Sequence, residues 1–140
     1  IASHFVMLED YDNALPLYKE AYQLAVEHEF VDLQKSSGIM LVKYLCGAGD
    51  YSKSLEYYNK INPEIALVPS MQNEVVKSYM ELNKPDSARI YLAERLLLEG
   101  GDKIFLNCMM AETYIPEGQE DSAFIFLDRA MESYKEKKKY

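Results

Sequence analysis

The sequence contains no tryptophan, and only two histidines and two cysteines occur among its 140 residues. His4 and His28 form no HExxH metal motif, and no P-loop, Gly-x-Gly-x-x-Gly or Gly-x-Ser-x-Gly pattern occurs. We therefore expect no metal, no cofactor and no catalytic site. Cys46 and Cys108 form no CxxC pair and lie in apolar surroundings, which predicts buried free thiols and favours a reducing, cytoplasmic compartment.

Long apolar runs and basic residues are also scarce. No run reaches bilayer-spanning length and no secretory signal opens the chain, so we expect no membrane segment here. Fifteen Lys and Arg against 23 Asp and Glu give a net charge of −8, which repels phosphate and predicts no nucleic-acid binding. The basic stretch at 134–140 is interpreted as a solvated helix end. The first residue is Ile, so we expect a fragment of a longer protein or a processed product.

Four short phrases share one pattern, in which a small residue is followed four positions later by a large apolar residue. They read "YDNALPLY", "YSKSLEYY", "PDSARIYL" and "EDSAFIFL". Successive small residues lie 40, 34 and 35 positions apart (14 to 54, 54 to 88, 88 to 123), close to a repeat period of about 34 residues. The pairs are Ala14 and Tyr18, Ser54 and Tyr58, Ala88 and Leu92, and Ala123 and Leu127.

Nine residues before three of these small residues stand Leu45, Tyr79 and Tyr114, where a tetratricopeptide repeat has an aromatic residue. Over nearly its whole length the chain resembles the tetratricopeptide repeat family. The phrase "YDNALPLYKEAYQLA" is similar to the longer-repeat form found in kinesin light chains and many bacterial regulators. The chain departs from the family pattern at the aromatic sixteen positions before the small residue, where Gly38 stands in one unit, and at the Gly of the Leu-Gly pair.

The resemblance implies an all-α fold in which antiparallel helix pairs stack into a right-handed superhelix. We expect a single array over 1–140, with a partial unit at 1–30 and fuller units at 31–63, 64–100 and 101–140. Residues 1–8 would hold the remnant of a first helix. No segment alternates with period two, so no sheet is expected. Helices are predicted at 11–28, 31–47, 51–61, 70–82, 86–99, 103–115 and 119–137.

The turns carry helix stop and start signals. Gly49 is expected to end one helix and Asp50 to cap the next. Pro85 suits a first helical position. Pro16 falls inside a predicted helix, and we expect it in the first turn, where a missing N–H is tolerated.

The resemblance also implies a concave groove lined by the first helix of each unit. The positions fifteen and eleven before the small residues would face it. The candidate groove residues are Ile39, Lys43, Asn73, Lys77, Cys108 and Glu112. Asn and Lys one turn apart can bind a peptide backbone and a carboxylate, although solvated polar residues on an exposed face are an equal alternative. Ile39, Cys108 and Glu112 do not fit the carboxylate-clamp subfamily, so we expect a mixed apolar and polar groove.

Two functional hypotheses follow from the repeat pattern. The first is a non-catalytic module that binds a protein or peptide partner in its groove. The second is a ligand- or peptide-sensing regulatory domain of a bacterial signalling or transcription protein. Because repeat arrays need polar caps at their ends and none is evident here, an end face is also expected to continue into further chain or to pair with a second copy.

Overall fold

The computed structural model describes residues 11–61, 71–98 and 100–139. Every regular element in these ranges is a helix, so the predicted all-α fold is confirmed for this part of the chain. The backbone forms two compact units, residues 1–82 and 83–140, which are described separately below. The helix remnant predicted at residues 1–8 lies outside the described residues.

The described part of the first unit contains four helices. They are α1 (Tyr11–Glu27), α2 (Val31–Gly47), α3 (Tyr51–Lys60) and α4 (Gln72–Glu81). Helix α2 is central, since it packs against α1, α3 and α4. It contributes Leu41, Val42 and Leu45, which are 0%, 0% and 2% exposed. Burial of these aliphatic side chains is the main source of stability for the unit.

The second unit contains three α-helices and one short 3₁₀-helix in its described residues. They are α5 (Pro85–Leu96), α6 (Lys103–Tyr114), the 3₁₀-helix Ile115–Glu117 and α7 (Glu120–Lys138). Helix α6 is central here, since it packs against both α5 and α7. Leu92, Leu106 and Met110 form part of its core and are almost completely buried.

The seven predicted helices are all present, and their described ends lie within three residues of the predicted ones. The predicted turn chemistry accounts for this agreement. Gly49 has a φ of +84°, which a side chain would strain, and Asp50 caps α3 by accepting a hydrogen bond from the Lys53 N–H. Pro85 begins α5, as predicted. Asp102 caps α6 by accepting a hydrogen bond from the Phe105 N–H.

Pro16 differs from its expected position. It lies inside α1 beyond the first turn, because the helix already includes Tyr11. Proline has no N–H, so the Asp12 carbonyl lacks its usual intrahelical partner. Pro16 is exposed, and the helix continues past it to Glu27.

The four small residues of the repeat pattern are all buried. Ala14, Ser54 and Ala88 are 0% exposed, and Ala123 is 6% exposed. Each lies in the first turns of a helix, at equivalent places in α1, α3, α5 and α7. A small side chain at such a position lets one helix backbone approach its neighbour closely. The recurrence seen in the sequence therefore corresponds to a recurring packing environment.

Gly38 explains one departure from the repeat pattern. A Cβ atom added there would lie 3.2 Å from the side chain of Ile61 and 3.4 Å from the ring of Tyr22. Interiors are too closely packed to accept an aromatic ring at such a contact without rearrangement. The absence of a side chain at Gly38 therefore lets Ile61 and Tyr22 pack directly against α2, at a position where the tetratricopeptide pattern has a large residue.

Arg89 joins the elements of the second unit. From α5, its guanidinium donates hydrogen bonds to the hydroxyl and the carbonyl of Thr113, at 3.1 and 2.8 Å. It also lies 3.8 Å from the centre of the Tyr114 ring and 3.3 Å from a Glu117 carboxylate oxygen. These contacts satisfy a carbonyl at the end of α6, where intrahelical donors are lacking.

The stacking of the helices into a right-handed superhelix stays a prediction, as does the division into repeat units. The predicted unit 64–100 spans the boundary between the two compact units, since α4 belongs to the first and α5 to the second. None of the helices in the described ranges combines the length and apolar content needed to cross a bilayer.

Candidate functional site

Three of the six predicted groove residues line one cleft in the first unit. Lys43 lies on α2, and Asn73 and Lys77 lie one turn apart on α4. The cleft has a volume of about 310 Å³ and opens to solvent. It forms because α2 and α4 pack side by side, although the residues that line it are about thirty positions apart in sequence.

The rest of the cleft wall comes from residues that the sequence analysis did not select. They are Tyr44, Cys46 and Gly47 on α2 and Glu74 on α4. Each is adjacent to a predicted residue or about one helical turn from it. Cys46 and Gly47 lie three and four positions after Lys43 and share its helix face, so that spacing is a signal for these two residues, whereas no such spacing marks Tyr44.

The two walls of the cleft are joined at Cys46. Its thiol donates a hydrogen bond to the backbone carbonyl of Glu74, with a sulfur-to-oxygen distance of 3.7 Å. Burial raises the pKa of the Cys46 thiol above its ordinary value of 9.0. The thiol is therefore protonated at neutral pH and acts as a packing group and weak donor, because only a thiolate is a good nucleophile.

The cleft carries more positive than negative charge, in contrast to the chain as a whole. Lys43 and Lys77 contribute two cations and Glu74 one carboxylate. Within the described ranges neither lysine forms an ion pair. One oxygen of Glu74 is buried and has no hydrogen-bond partner among the described residues. The cleft can thus attract a negatively charged group, while Glu74 reduces the strength of that attraction.

The other three predicted groove residues are placed differently. Ile39 is half-buried on α2, about one turn before Lys43. Cys108 and Glu112 lie on α6 of the second unit, where Cys108 is half-buried and Glu112 is exposed. The first unit therefore brings together Lys43, Asn73 and Lys77, and the contribution of Cys108 and Glu112 to a groove stays a prediction.

A larger cavity, of about 510 Å³, occurs in the second unit. It is lined by residues 100–104 at the start of α6 and by Ser133, Glu136 and Lys137 of α7. Its acidic and basic side chains balance, and the Asp102 carboxylate is already bound to a backbone N–H. We prefer the smaller cleft as the candidate site because its cationic and amide side chains converge on one place.

Within residues 11–61, 71–98 and 100–139, no group of three or more His, Cys, Asp or Glu side chains is arranged to hold a metal ion. His28 is exposed, and its ring stacks on Phe30 at 5.8 Å between centres.

Comparison with known proteins gives no family for this chain. No protein-family model matches it, and no curated protein matches it significantly.

Proposed function

We propose that the chain is a non-catalytic, tetratricopeptide-like binding module whose first-unit cleft holds an acidic segment of a protein partner. The observation that carries this proposal is the convergence of Lys43, Asn73 and Lys77 on one cleft. The spacing of the repeat pattern predicts all three of these residues as groove residues. All four small residues of the repeat pattern are buried, which supports the pattern from which the groove positions were predicted.

The chemistry of the cleft favours a carboxylate-bearing peptide. Two lysine ammonium groups can each donate to a carboxylate, and such charge-assisted hydrogen bonds are about twice as strong as neutral ones. The Asn73 amide can both donate to and accept from a peptide backbone. Tyr44 and Gly47 supply less polar surface beside them. The binding surface is then mixed, as the sequence predicted.

The size of the cleft indicates recognition of a short stretch of peptide. A volume of about 310 Å³ is at the lower limit of pockets that enclose whole small molecules, which span roughly 300–1,000 Å³. An open cleft of this size suits one or two side chains of an extended segment. The remaining contacts of the partner would lie outside it, along the groove that the superhelical arrangement is proposed to form.

We place this interaction in the cytoplasm. Cys46 and Cys108 are both free thiols, and Cys46 is buried in the cleft wall. Free thiols persist in reducing compartments, whereas oxidising compartments favour disulfides.

The test is a binding titration with two labelled peptides, Asp-Leu-Glu-Leu-Glu and Lys-Leu-Lys-Leu-Lys, followed by fluorescence anisotropy. We expect the wild-type chain to bind the acidic peptide and not the basic one. Lys77→Glu should weaken binding of the acidic peptide by about tenfold or more, because it replaces an attraction with a repulsion in the cleft.

Lys35→Glu is the matched control, since Lys35 is exposed on α2 outside the cleft and its reversal changes the net charge equally. It should retain near wild-type affinity. Equal losses in the two variants would show a non-specific charge effect. No binding of the acidic peptide by the wild type would rule out an acidic ligand for this cleft.

A further inference from the structure

Helix α7 exposes a stripe of large apolar side chains along one face. Phe124, Leu127, Met131 and Tyr134 are 60%, 41%, 54% and 44% exposed. Their spacing of three, four and three residues is that of the a and d positions of a coiled coil. We call these four residues the α7 stripe. It lies beside the face through which Ala123 and Ala130 are buried in the second unit.

The charges of α7 are arranged in opposite signs at its two ends. Glu120 and Asp121 lie in the first turn, and Lys135, Lys137 and Lys138 lie in the last turn. A second α7 that runs antiparallel would place its basic end beside the acidic end of the first. A parallel pair would bring like charges together at both ends. This charge complementarity favours a second copy of the chain as the partner and the antiparallel direction for the pair.

We propose that two copies of this chain associate through their α7 stripes, antiparallel about a two-fold axis near the middle of the helix. In this register Leu127 packs opposite Met131 of the second copy, and Phe124 packs opposite Tyr134 of the second copy. Glu120 then lies opposite Lys138 of the second copy. Every a position meets a d position, so the whole stripe is covered.

One residue opposes this pairing and makes the register testable. Asp128 is exposed and lies at the edge of the stripe next to Leu127. In the proposed register its carboxylate faces Asp128 of the second copy beside the axis. Like charges at such a distance repel each other, which weakens the dimer. Neutralising Asp128 should therefore strengthen self-association, although it removes a surface charge that ordinarily aids solubility.

The size of the stripe sets the expected strength of the dimer. Stable specific interfaces bury about 1,200–2,000 Å² in total, and a single pair of helices in contact over four turns buries less. We therefore expect a weak dimer, with a dissociation constant of the order of 10 µM or higher. Measurements must extend to a chain concentration of about 0.5 mM to populate it.

Sedimentation equilibrium of the complete chain tests the surface. The wild type should change from monomer to dimer over this range, and Met131→Glu should raise the dissociation constant by about tenfold or more. Ile125→Glu is the control, because Ile125 is 51% exposed on the same helix but points away from the stripe. It should dimerise like the wild type. A wild type that remains monomeric, or equal losses in both variants, would overturn the proposal.

Direction and register are tested by two further variants. Asp128→Asn should lower the dissociation constant by about twofold or more, whereas no change or a weakening would contradict the register. A short bismaleimide should cross-link a mixture of Asp121→Cys and Lys135→Cys chains. Neither variant alone nor the wild type should cross-link to the same extent. Cross-linking within each single-variant sample would instead show a parallel pair. Circular dichroism of each variant verifies that it remains helical.

Discussion

The hydroxyl of Ser54 on α3 donates a hydrogen bond of 2.7 Å to the backbone carbonyl of Val42 on α2. Ser54 is completely buried. A side chain as short as that of serine can reach the backbone of the neighbouring helix only where the two helices are close. The small residue of the repeat pattern therefore lies at a close contact between α2 and α3.

Replacing Ser54 with Ala should lower the free energy of unfolding by about 0.5–1.5 kcal/mol, because the inter-helix hydrogen bond is lost without a large change in volume. Urea unfolding followed by circular dichroism measures this change. Ser52→Ala is the control, since Ser52 is exposed on the same helix. Its effect should stay within about 0.5 kcal/mol. An equal loss for both would remove any special role of the Ser54 contact.

Replacing Ala88 with Leu should destabilise the fold by about 1–3 kcal/mol, because the extra atoms would be forced into a fully packed position. Ala93 lies on the same helix and is exposed, so Ala93→Leu should be nearly neutral. Thermal unfolding of both variants distinguishes packing from helix propensity. An unchanged melting temperature for Ala88→Leu would show that the repeat register is wrong.

Arg89→Lys should destabilise the second unit by about 2 kcal/mol. A lysine keeps the charge but cannot donate to both oxygens of Thr113 or stack on the Tyr114 ring in the same way. Arg129→Lys is the comparison, because Arg129 is exposed and lies 4.9 Å from the centre of the Phe126 ring. Denaturant unfolding should show a small effect there. Similar losses of unfolding free energy in the two variants would mean that the Arg89 contacts contribute little to stability.

The stability of the chain should decrease above about pH 9 through Cys46. Burial raises the pKa of its thiol in the folded state above the ordinary value of 9.0. The unfolded thiol then loses its proton first as the pH rises, so the free energy of unfolding falls with increasing pH. Below that range the thiol holds its proton in both the folded and the unfolded state, so Cys46 does not lower the free energy of unfolding there.

The pH dependence is measured by urea unfolding between pH 7 and 10.5 in the wild type and in Cys46→Val, which keeps the volume and removes the titrating group. The variant should show a shallower decline. Part of the decline should remain, because burial also raises the pKa of Tyr22 above 10.0. Identical slopes in the two proteins would exclude Cys46 as a contributor.

The helices of this chain could be predicted from the sequence because their signals are local. Glycines at positive φ, capping aspartates such as Asp50 and Asp102, and small residues one turn before large apolar ones act within a few residues. The same periodicity also explains the burial of Tyr91. It lies three positions after Ala88, on the same face of α5.

Other features depend on contacts between distant segments and could not be read from local patterns. The cleft exists because α2 packs beside α4, and the sequence does not show that Glu74 would line it beside Lys77. Seven positions after the four small residues stand Ala21, Ile61, Arg95 and Ala130. Arg95 is the charged residue in this set, yet it is 5% exposed, with its guanidinium 5.8 Å from the centre of the Tyr91 ring. Burial of a charged residue depends on partners that only the tertiary structure supplies.

The central claim is that the segments 43–47 and 73–77 form one binding cleft for an acidic peptide. Nuclear magnetic resonance of the ¹⁵N-labelled chain, titrated with the acidic pentapeptide, tests it most directly. We predict that the largest amide shifts fall together in these two segments, saturate with one affinity and disappear in the Lys43→Glu, Lys77→Glu double variant. Shifts concentrated elsewhere, or absent from one of the two segments, would contradict the claim.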